Sequence, residues 1–194
     1  MIRLTGSNKI KTAIFISGTG SNFKSLIKFS LLEKSPIKIE YLISSNPKAK
    51  GLDLARKYKI KKNIFEFKKK IHDENKILIN LKKKKINLIC LAGFMKILSK
   101  NFIKKFNGII INIHPSLLPK YKGLNTHQRV IKNNEKFSGC TIHFVNSKLD
   151  SGRIILQKKI KISSKDNAKT LEKKILKQEH ILYPKAIMKL FSNF

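Results

Sequence analysis

The chain has 194 residues, with 43 Lys and Arg against 11 Asp and Glu, giving a formal charge of +32 and a sequence pI near 10.3. Hydrophobic residues make up 41% of it, too many for a disordered basic tail and enough to bury one core. No apolar run approaches a membrane span, the longest lying near 88–95, and the apolar stretch at 13–16 is too short for a signal peptide.

Of the 43 basic residues only Arg3, Arg56, Arg129 and Arg153 are arginine. Lysine, isoleucine, asparagine and phenylalanine together fill 97 of the 194 positions, and all four use AT-rich codons. Proteins that read nucleic acid lean on the arginine fork for base and phosphate contacts. A lysine excess without arginine therefore favours compositional drift over selection for a polyanion partner. Cys90 and Cys140 are isolated in apolar, strand-like surroundings, which reads as buried thiols in a reducing cytoplasm.

Strand-like and helix-like runs alternate along the chain. Residues 12–17 form a buried-strand pattern, and 22–32 carry Phe23, Leu26, Ile27 and Leu31 at helical spacing. A strand is expected at 37–43, a helix at 48–58, a short strand at 63–67 and a helix at 73–85. Residues 87–91 are an apolar strand of the kind buried on both faces of a parallel sheet. A short helix at 97–106 and a strand at 109–113 follow. Pro115, Pro119 and Gly123 make 114–125 a loop, and 126–133 a short helix. Strands at 139–146 and 153–162 meet at a turn around Asp150–Gly152. A long helix over 166–191 is expected to bend or break at Pro184. The alternation predicts an α/β fold, a single domain with an open, mostly parallel twisted sheet, helices on both faces and a late antiparallel strand.

Ligands of such sheets bind beyond the carboxyl ends of the strands, and three unusual segments fall there. Ser17-Gly18-Thr19-Gly20-Ser21-Asn22 joins a strand to a helix. Glycines expose N–H groups and the helix start adds unpaired donors, which suits a phosphate; an ordinary tight turn would look the same. Phe23 stands where a dinucleotide fingerprint needs a small residue, and no Gly-Lys-Ser/Thr follows as in a P-loop. Asn112 and His114 are two apart on a strand, so both point to one face of an otherwise all-isoleucine segment. Such a pair must be satisfied or functional; an amide and an imidazole side by side can polarise a carbonyl and hold an oxyanion. Asp150 could charge His114 or take a proton, or could simply form its turn. His143 reads as a partner of the site or a satisfied core residue. No histidine pair has metal-ligand spacing, and no metal is expected.

Taken together these segments resemble the phosphoribosylglycinamide formyltransferases. SGTGSN at 17–22, LAGFMKIL at 91–98, INIHPSLLPKYKG at 111–123, GCTIHFVNSKLDSG at 139–152, IILQ at 154–157 and QEHILYP at 178–184 occur in order, so the resemblance covers nearly the whole chain. It implies a Rossmann-like formyltransferase domain that moves a formyl group from 10-formyltetrahydrofolate to the amine of 5′-phosphoribosylglycinamide in purine biosynthesis. By motif, Asn112, His114 and Asp150 match the catalytic trio and His143 a supporting position. Gly20, Ser21, Asn22, Phe23 and Lys24 match the phosphate loop, and Glu179 a carboxylate holding the ribose. Met95, Lys96, Ile97, Leu98 and Asn112 match the folate site, and Leu118-Pro119 a cis peptide. Residues 1–11 then form an N-terminal extension, 12–110 a phosphate-binding half and 111–194 a catalytic and folate half.

The resemblance also implies a cytoplasmic enzyme, monomeric or homodimeric, with two small anionic substrates, no metal, no membrane and no specific nucleic acid. Lys96 departs from the arginine frequent in the family and loses its planar fork. Among rivals, a methionyl-tRNA formyltransferase is expected to carry a further C-terminal domain and a formyltetrahydrofolate deformylase a further N-terminal one. A nucleic-acid-binding protein with a relic site is the reading from another class; an intact Asn112, His114 and Asp150 speak against it.

Overall fold

Most apolar runs of the sequence become strands or helix faces in the computed structural model, which describes residues 9–191. In chain order the elements are β1 (Ile10–Ile16), α1 (Ser21–Ser30), β2 (Ile37–Ser44), α2 (Gly51–Lys57), β3 (Lys61–Ile64), α3 (Lys70–Lys83), β4 (Leu88–Leu91), α4 (Lys100–Lys105), β5 (Ile109–His114), α5 (Thr126–Lys132), β6 (Phe137–Phe144), β7 (Ile154–Lys161) and α6 (Ala168–Phe191). The strands form one sheet in the order β3-β2-β1-β4-β5-β6-β7. The first five are mutually parallel; β6 runs antiparallel to β5 and β7. This is the open α/β sheet with a late antiparallel strand that the alternation predicts. Among the described residues, no helix is long and apolar enough to cross a membrane.

The period-two geometry of strands divides the core into two layers. Ile14, Leu42, Leu88, Cys90, Ile111 and Ile142 face one way, onto α1, α2 and α6. Ala13, Phe15, Ile43, Ile89, Leu91 and Ile110 face the other way, onto α3 and α4. All four residues of β4 are buried, as an apolar central strand requires. Each side chain of that size contributes roughly 1.5–3 kcal/mol when taken from water.

Several boundaries shift by a few residues from the sequence reading, and four differences have a clear physical reason. Ile10 and Lys11 pair with Ile37 and Lys38, so β1 reaches into the expected extension, whose residues 1–8 lie outside the described residues. β3 stops at Ile64; Phe65 and Phe67 leave the ladder to pack on the apolar layer, with Phe67 edge-on to Phe94 at 5.5 Å. α4 starts at Lys100, because the Ser99 hydroxyl accepts from the Phe102 N–H as an N-cap. Ile97 and Leu98 are thereby released from the expected helix and join Met95 and Lys96 in a loop. Finally, α6 runs unbroken through Pro184. Proline cannot donate to the carbonyl four residues back, that of His180, and an interior proline costs about 3 kcal/mol. Ser25 Oγ of α1 donates to that carbonyl instead, at 2.8 Å.

Candidate active site

Strand order reverses between β1 and β4, whose neighbours lie on opposite sides, and that is where such sheets open a crevice. The loop after β1 lines it. Gly20 has φ +75°, and a Cβ there would come within 2.8 Å of the Gly51 Cα, so glycine is required on both counts. α1 begins at Ser21 with no side-chain cap, which leaves the first-turn N–H groups of Ser21, Asn22 and Phe23 for a ligand. Ser17 Oγ accepts from the Met95 N–H at 2.8 Å and lies 2.6 Å from Ser45 Oγ, binding the loops after β1, β2 and β4 together.

The adjacent strands β5 and β6 carry the polar centre. Asn112 is paired with His143 across the antiparallel ladder. His143 Nδ1 lies 2.8 Å from the Phe144 carbonyl, which can only accept, so that nitrogen carries the proton. Its Nε2 is then an acceptor, and Asn112 Nδ2 donates to it at 3.2 Å. This fixes the Asn112 amide and leaves its second N–H facing the crevice. His114, 5% exposed, places Nε2 2.8 Å from the Tyr121 carbonyl and Nδ1 3.3 Å from Asp150 Oδ2. Asp150 Oδ2 also accepts from the Gly123 N–H at 2.9 Å, and Oδ1 lies 3.7 Å from His143 Nε2. Asp150 adopts φ +45°, and a Cβ at Gly152 would overlap the Phe144 carbonyl, so this tight turn admits little else.

Burial pulls the His114 imidazole below its usual range; the Tyr121 carbonyl and Asp150 push it up without cancelling that, and His143 and Arg129 add to the lowering. Yet both ring nitrogens face acceptors, a pattern that only imidazolium satisfies in full. The two facts are compatible: burial disfavours the charged ring, and a neutral ring can serve only one of its two acceptors at a time. Burial pushes the Asp150 carboxyl up, but the nearby His143, the Gly123 N–H and the charge that His114 takes on towards acid outweigh it and hold the group below the usual carboxylate range.

At the far end, Asn22 Nδ2 donates to Glu179 Oε2 at 2.7 Å, joining residues 157 apart in sequence. Glu179 is pushed up by burial, opposed by Asn22 and reinforced by Glu172. Asn22 Oδ1 is buried without a partner, an acceptor that awaits an N–H or O–H donor. Both ends open into one cavity of about 740 Å³, ample for a drug-sized ligand. Met95, Ile97 and Leu124 line it with unusually exposed apolar side chains, 65%, 62% and 69% exposed.

Of the residues expected at the site, Gly20, Ser21, Asn22, Met95, Lys96, Ile97, Leu98, Asn112, His114, His143, Asp150 and Glu179 all line this cavity. Phe23 and Lys24 do not. Phe23 is fully buried in the apolar layer, so it can offer only its backbone N–H; Lys24 is exposed, and its N–H is spent on the Gly20 carbonyl. The Leu118-Pro119 peptide is cis, and Gln157 of the IILQ segment donates to the Leu118 carbonyl at 2.7 Å. Three features escaped the sequence reading. The Tyr121 carbonyl and Gly123 N–H are backbone groups. Glu74, buried, accepts from both the Ser99 N–H and hydroxyl and so anchors the end of the Met95–Leu98 loop; an acidic residue in a lysine-rich helix was its one visible signal. Among the described residues, no group of three His, Cys, Asp or Glu side chains converges as a metal site would.

A family model described as formyl transferase matches residues 10–187. The phosphoribosylglycinamide formyltransferase of Haemophilus influenzae is 40% identical over 91% of this chain and 85% of its own. Crystal structures of phosphoribosylglycinamide formyltransferases superpose closely. That from Brucella melitensis has a TM-score of 0.88 at 40% identity, over 95% of this chain and 96% of its own. That from Bacillus halodurans reaches 0.90 at 35% identity, over 94% and 95%. The human trifunctional purine biosynthetic protein adenosine-3 is 37% identical over 95% of this chain, which spans only 19% of that protein's length. With the match running from β1 into α6 and the same sheet beneath it, the chain belongs to the formyl transferase family.

Proposed function

We propose that the chain transfers a formyl group from 10-formyltetrahydrofolate to the amine of 5′-phosphoribosylglycinamide in purine biosynthesis. The observation that carries this reading is the meeting of Asn112, His114 and Asp150 in one cavity that an uncapped helix start and the apolar side chains of Met95, Ile97 and Leu124 also line. The substrate phosphate is met by the first-turn N–H groups and the Ser21 hydroxyl, where the helix dipole favours negative charge. Asn22 Oδ1 and Glu179 take hydroxyl or amide hydrogens of the sugar and glycinamide. Met95, Ile97 and Leu98 suit the flat apolar faces of a pterin. The amine then points at the trio.

The amine nitrogen adds to the formyl carbon, and the carbonyl oxygen becomes an oxyanion. Asn112 donates its free N–H to it and His114 donates from Nδ1 as that nitrogen gains its proton. One such donor contributes about 3–4 kcal/mol in the transition state. Asp150, held anionic, stabilises the imidazolium and, through a water, relays the proton that the attacking nitrogen loses. That relayed proton is the one His114 Nδ1 gains; Nδ1 passes it to the leaving nitrogen of the folate as the bond to the formyl carbon breaks and the oxyanion collapses to the formamide, so the ring ends neutral and charge balances. The chain works as a cytoplasmic enzyme in this reading.

Formyl transfer to phosphoribosylglycinamide, followed with purified protein, tests it. Activity is expected for the wild type and is expected to vanish in His114→Ala and Asp150→Ala. Full activity in the double variant sinks the mechanism, and transfer to methionyl-tRNA in place of the glycinamide substrate sinks the substrate assignment.

A further inference from the structure

Tyr121 lies outside the cavity, yet its carbonyl oxygen is 2.8 Å from His114 Nε2. We propose that Tyr121 is a positioning residue for His114: its carbonyl holds the ring proton on Nε2, and a cradle of Glu135, Asn133 and Arg129 around its phenol keeps that carbonyl in place. A carbonyl only accepts, so the contact commits Nε2 to being the protonated nitrogen. Nδ1, which faces Asp150 Oδ2 at 3.3 Å, is left as the nitrogen that gains and loses a proton. Either neutral tautomer leaves one ring lone pair facing an acceptor; protonation on Nε2 places that opposition at the longer 3.3 Å contact with Asp150 and the hydrogen bond at the 2.8 Å contact with Tyr121, whereas reversal would aim a permanent N–H at Asp150 and remove Nδ1 from proton exchange.

The carbonyl needs this cradle. Tyr121 sits at φ +57°, a left-handed conformation that a bulky side chain adopts only where its surroundings enforce it. The phenol hydroxyl donates to Glu135 Oε1 at 2.9 Å and accepts from Asn133 Nδ2 at 3.0 Å. The Arg129 guanidinium covers the ring at 5.3 Å and donates to the Lys122 carbonyl at 2.6 Å. Lys120 closes the cluster with a 2.9 Å contact to Glu135. None of Lys120, Tyr121, Arg129, Asn133 and Glu135 lines the cavity, so their influence on catalysis passes through His114. The other charged or titratable groups acting on that ring are Asp150 and His143 from the β6 side and Arg129 and His127 from α5.

The catalytic consequence rests on the formyl-transfer reading; the tautomer does not, so its test is independent of activity. Long-range proton–nitrogen correlation spectra of histidine-labelled protein, assigned with His114→Gln, are expected to show the neutral His114 ring protonated on Nε2. Tyr121→Phe and Glu135→Gln are expected to give a mixture of tautomers. They should lower kcat by roughly 10- to 100-fold, the range seen when an outer partner that orients a histidine is lost. KM for both substrates should stay within about twofold, and the His114 limb of the pH–kcat profile should move to lower pH, because an upward push on the ring is weakened. A wild-type ring protonated on Nδ1 overturns the proposal. So does an unchanged tautomer and pH profile in Glu135→Gln, the variant that decides the matter if Tyr121→Phe does not fold.

Discussion

The two ends of the cavity each hold a buried carboxylate, and the protein treats them in opposite ways. Asp150 has the His114 and His143 imidazoles and the Gly123 N–H around it and is held below the usual carboxylate range despite burial. Glu179 has one neutral amide and a second carboxylate, Glu172, in its surroundings, and burial carries it upward. The first arrangement keeps a negative charge where a positive one must appear during reaction. The second keeps an acceptor that need not be charged, which suits hydroxyl recognition. One cavity thus separates chemistry from recognition by the partners given to each acid.

Neutralising Asp150 breaks this division most severely. Asp150→Asn keeps the shape of the turn but removes the charge that stabilises imidazolium. By comparison with other carboxylate–imidazole pairs, kcat should fall by roughly 10³- to 10⁴-fold, with KM for the glycinamide substrate little changed. Steady-state kinetics near pH 7 decide it; a loss confined to KM would place Asp150 in binding instead.

Glu179→Gln should show the complementary pattern. It keeps an acceptor and the contact from Asn22, so kcat should be retained while KM for the phosphoribosyl substrate rises on the order of 10-fold. Stability should separate the two acids as well. Asp150, with its folded pKa lowered, contributes stability above the ordinary Asp value that is lost as pH falls through its folded one. Glu179, with its folded pKa raised, contributes stability present below the ordinary Glu value and lost as pH rises through its folded one. Urea unfolding between about pH 3 and 8 should show Glu179→Gln gaining on the wild type as pH rises, while Asp150→Asn loses ground. Parallel curves for the two variants would erase the contrast.

How far this site could be read from sequence depended on whether a side chain or a backbone group did the work. Asn112 and His114 stood out because strand alternation put two polar groups on one face of an isoleucine run, and the register with β6 then delivered His143 beside them. The helical spacing of Phe23 with Leu26 and Ile27 already turned Phe23 inward; only motif adjacency placed it at the substrate. Backbone groups of Tyr121 and Gly123 leave no trace in residue identity, since any non-proline residue carries the same N–H and C=O. Long-range satisfaction was equally hidden. Among the described residues, the basic side chains that line the cavity are Lys96, Lys148 and Lys169, beside Asp150, Glu172 and Glu179. The surplus charge lies elsewhere, where lysine is cheap to hold in water.

A third buried carboxylate tests whether acids here always serve ligands. Glu74 accepts from both Ser99 donors and pins the loop that carries Met95–Leu98. Ser99→Ala removes the cap of α4 and should cost about 1 kcal/mol, read by urea unfolding, with a modest rise in KM for the folate substrate and an unchanged KM for the glycinamide one. The smallest effect is expected beneath Glu179 itself. Ser25 supplies the donor that Pro184 withholds from the His180 carbonyl, one residue from Glu179. Ser25→Ala leaves that carbonyl without its donor, and a single lost hydrogen bond costs about 1 kcal/mol or less. Because the carbonyl belongs to the helix turn that carries Glu179, KM for the phosphoribosyl substrate should rise by about twofold, while kcat, set at the Asp150 end, stays where it was. A fall in kcat would mean that the two ends are mechanically coupled through α6, whose Tyr183 hydroxyl reaches the carbonyls of Leu91 and Ile111 under the catalytic strand.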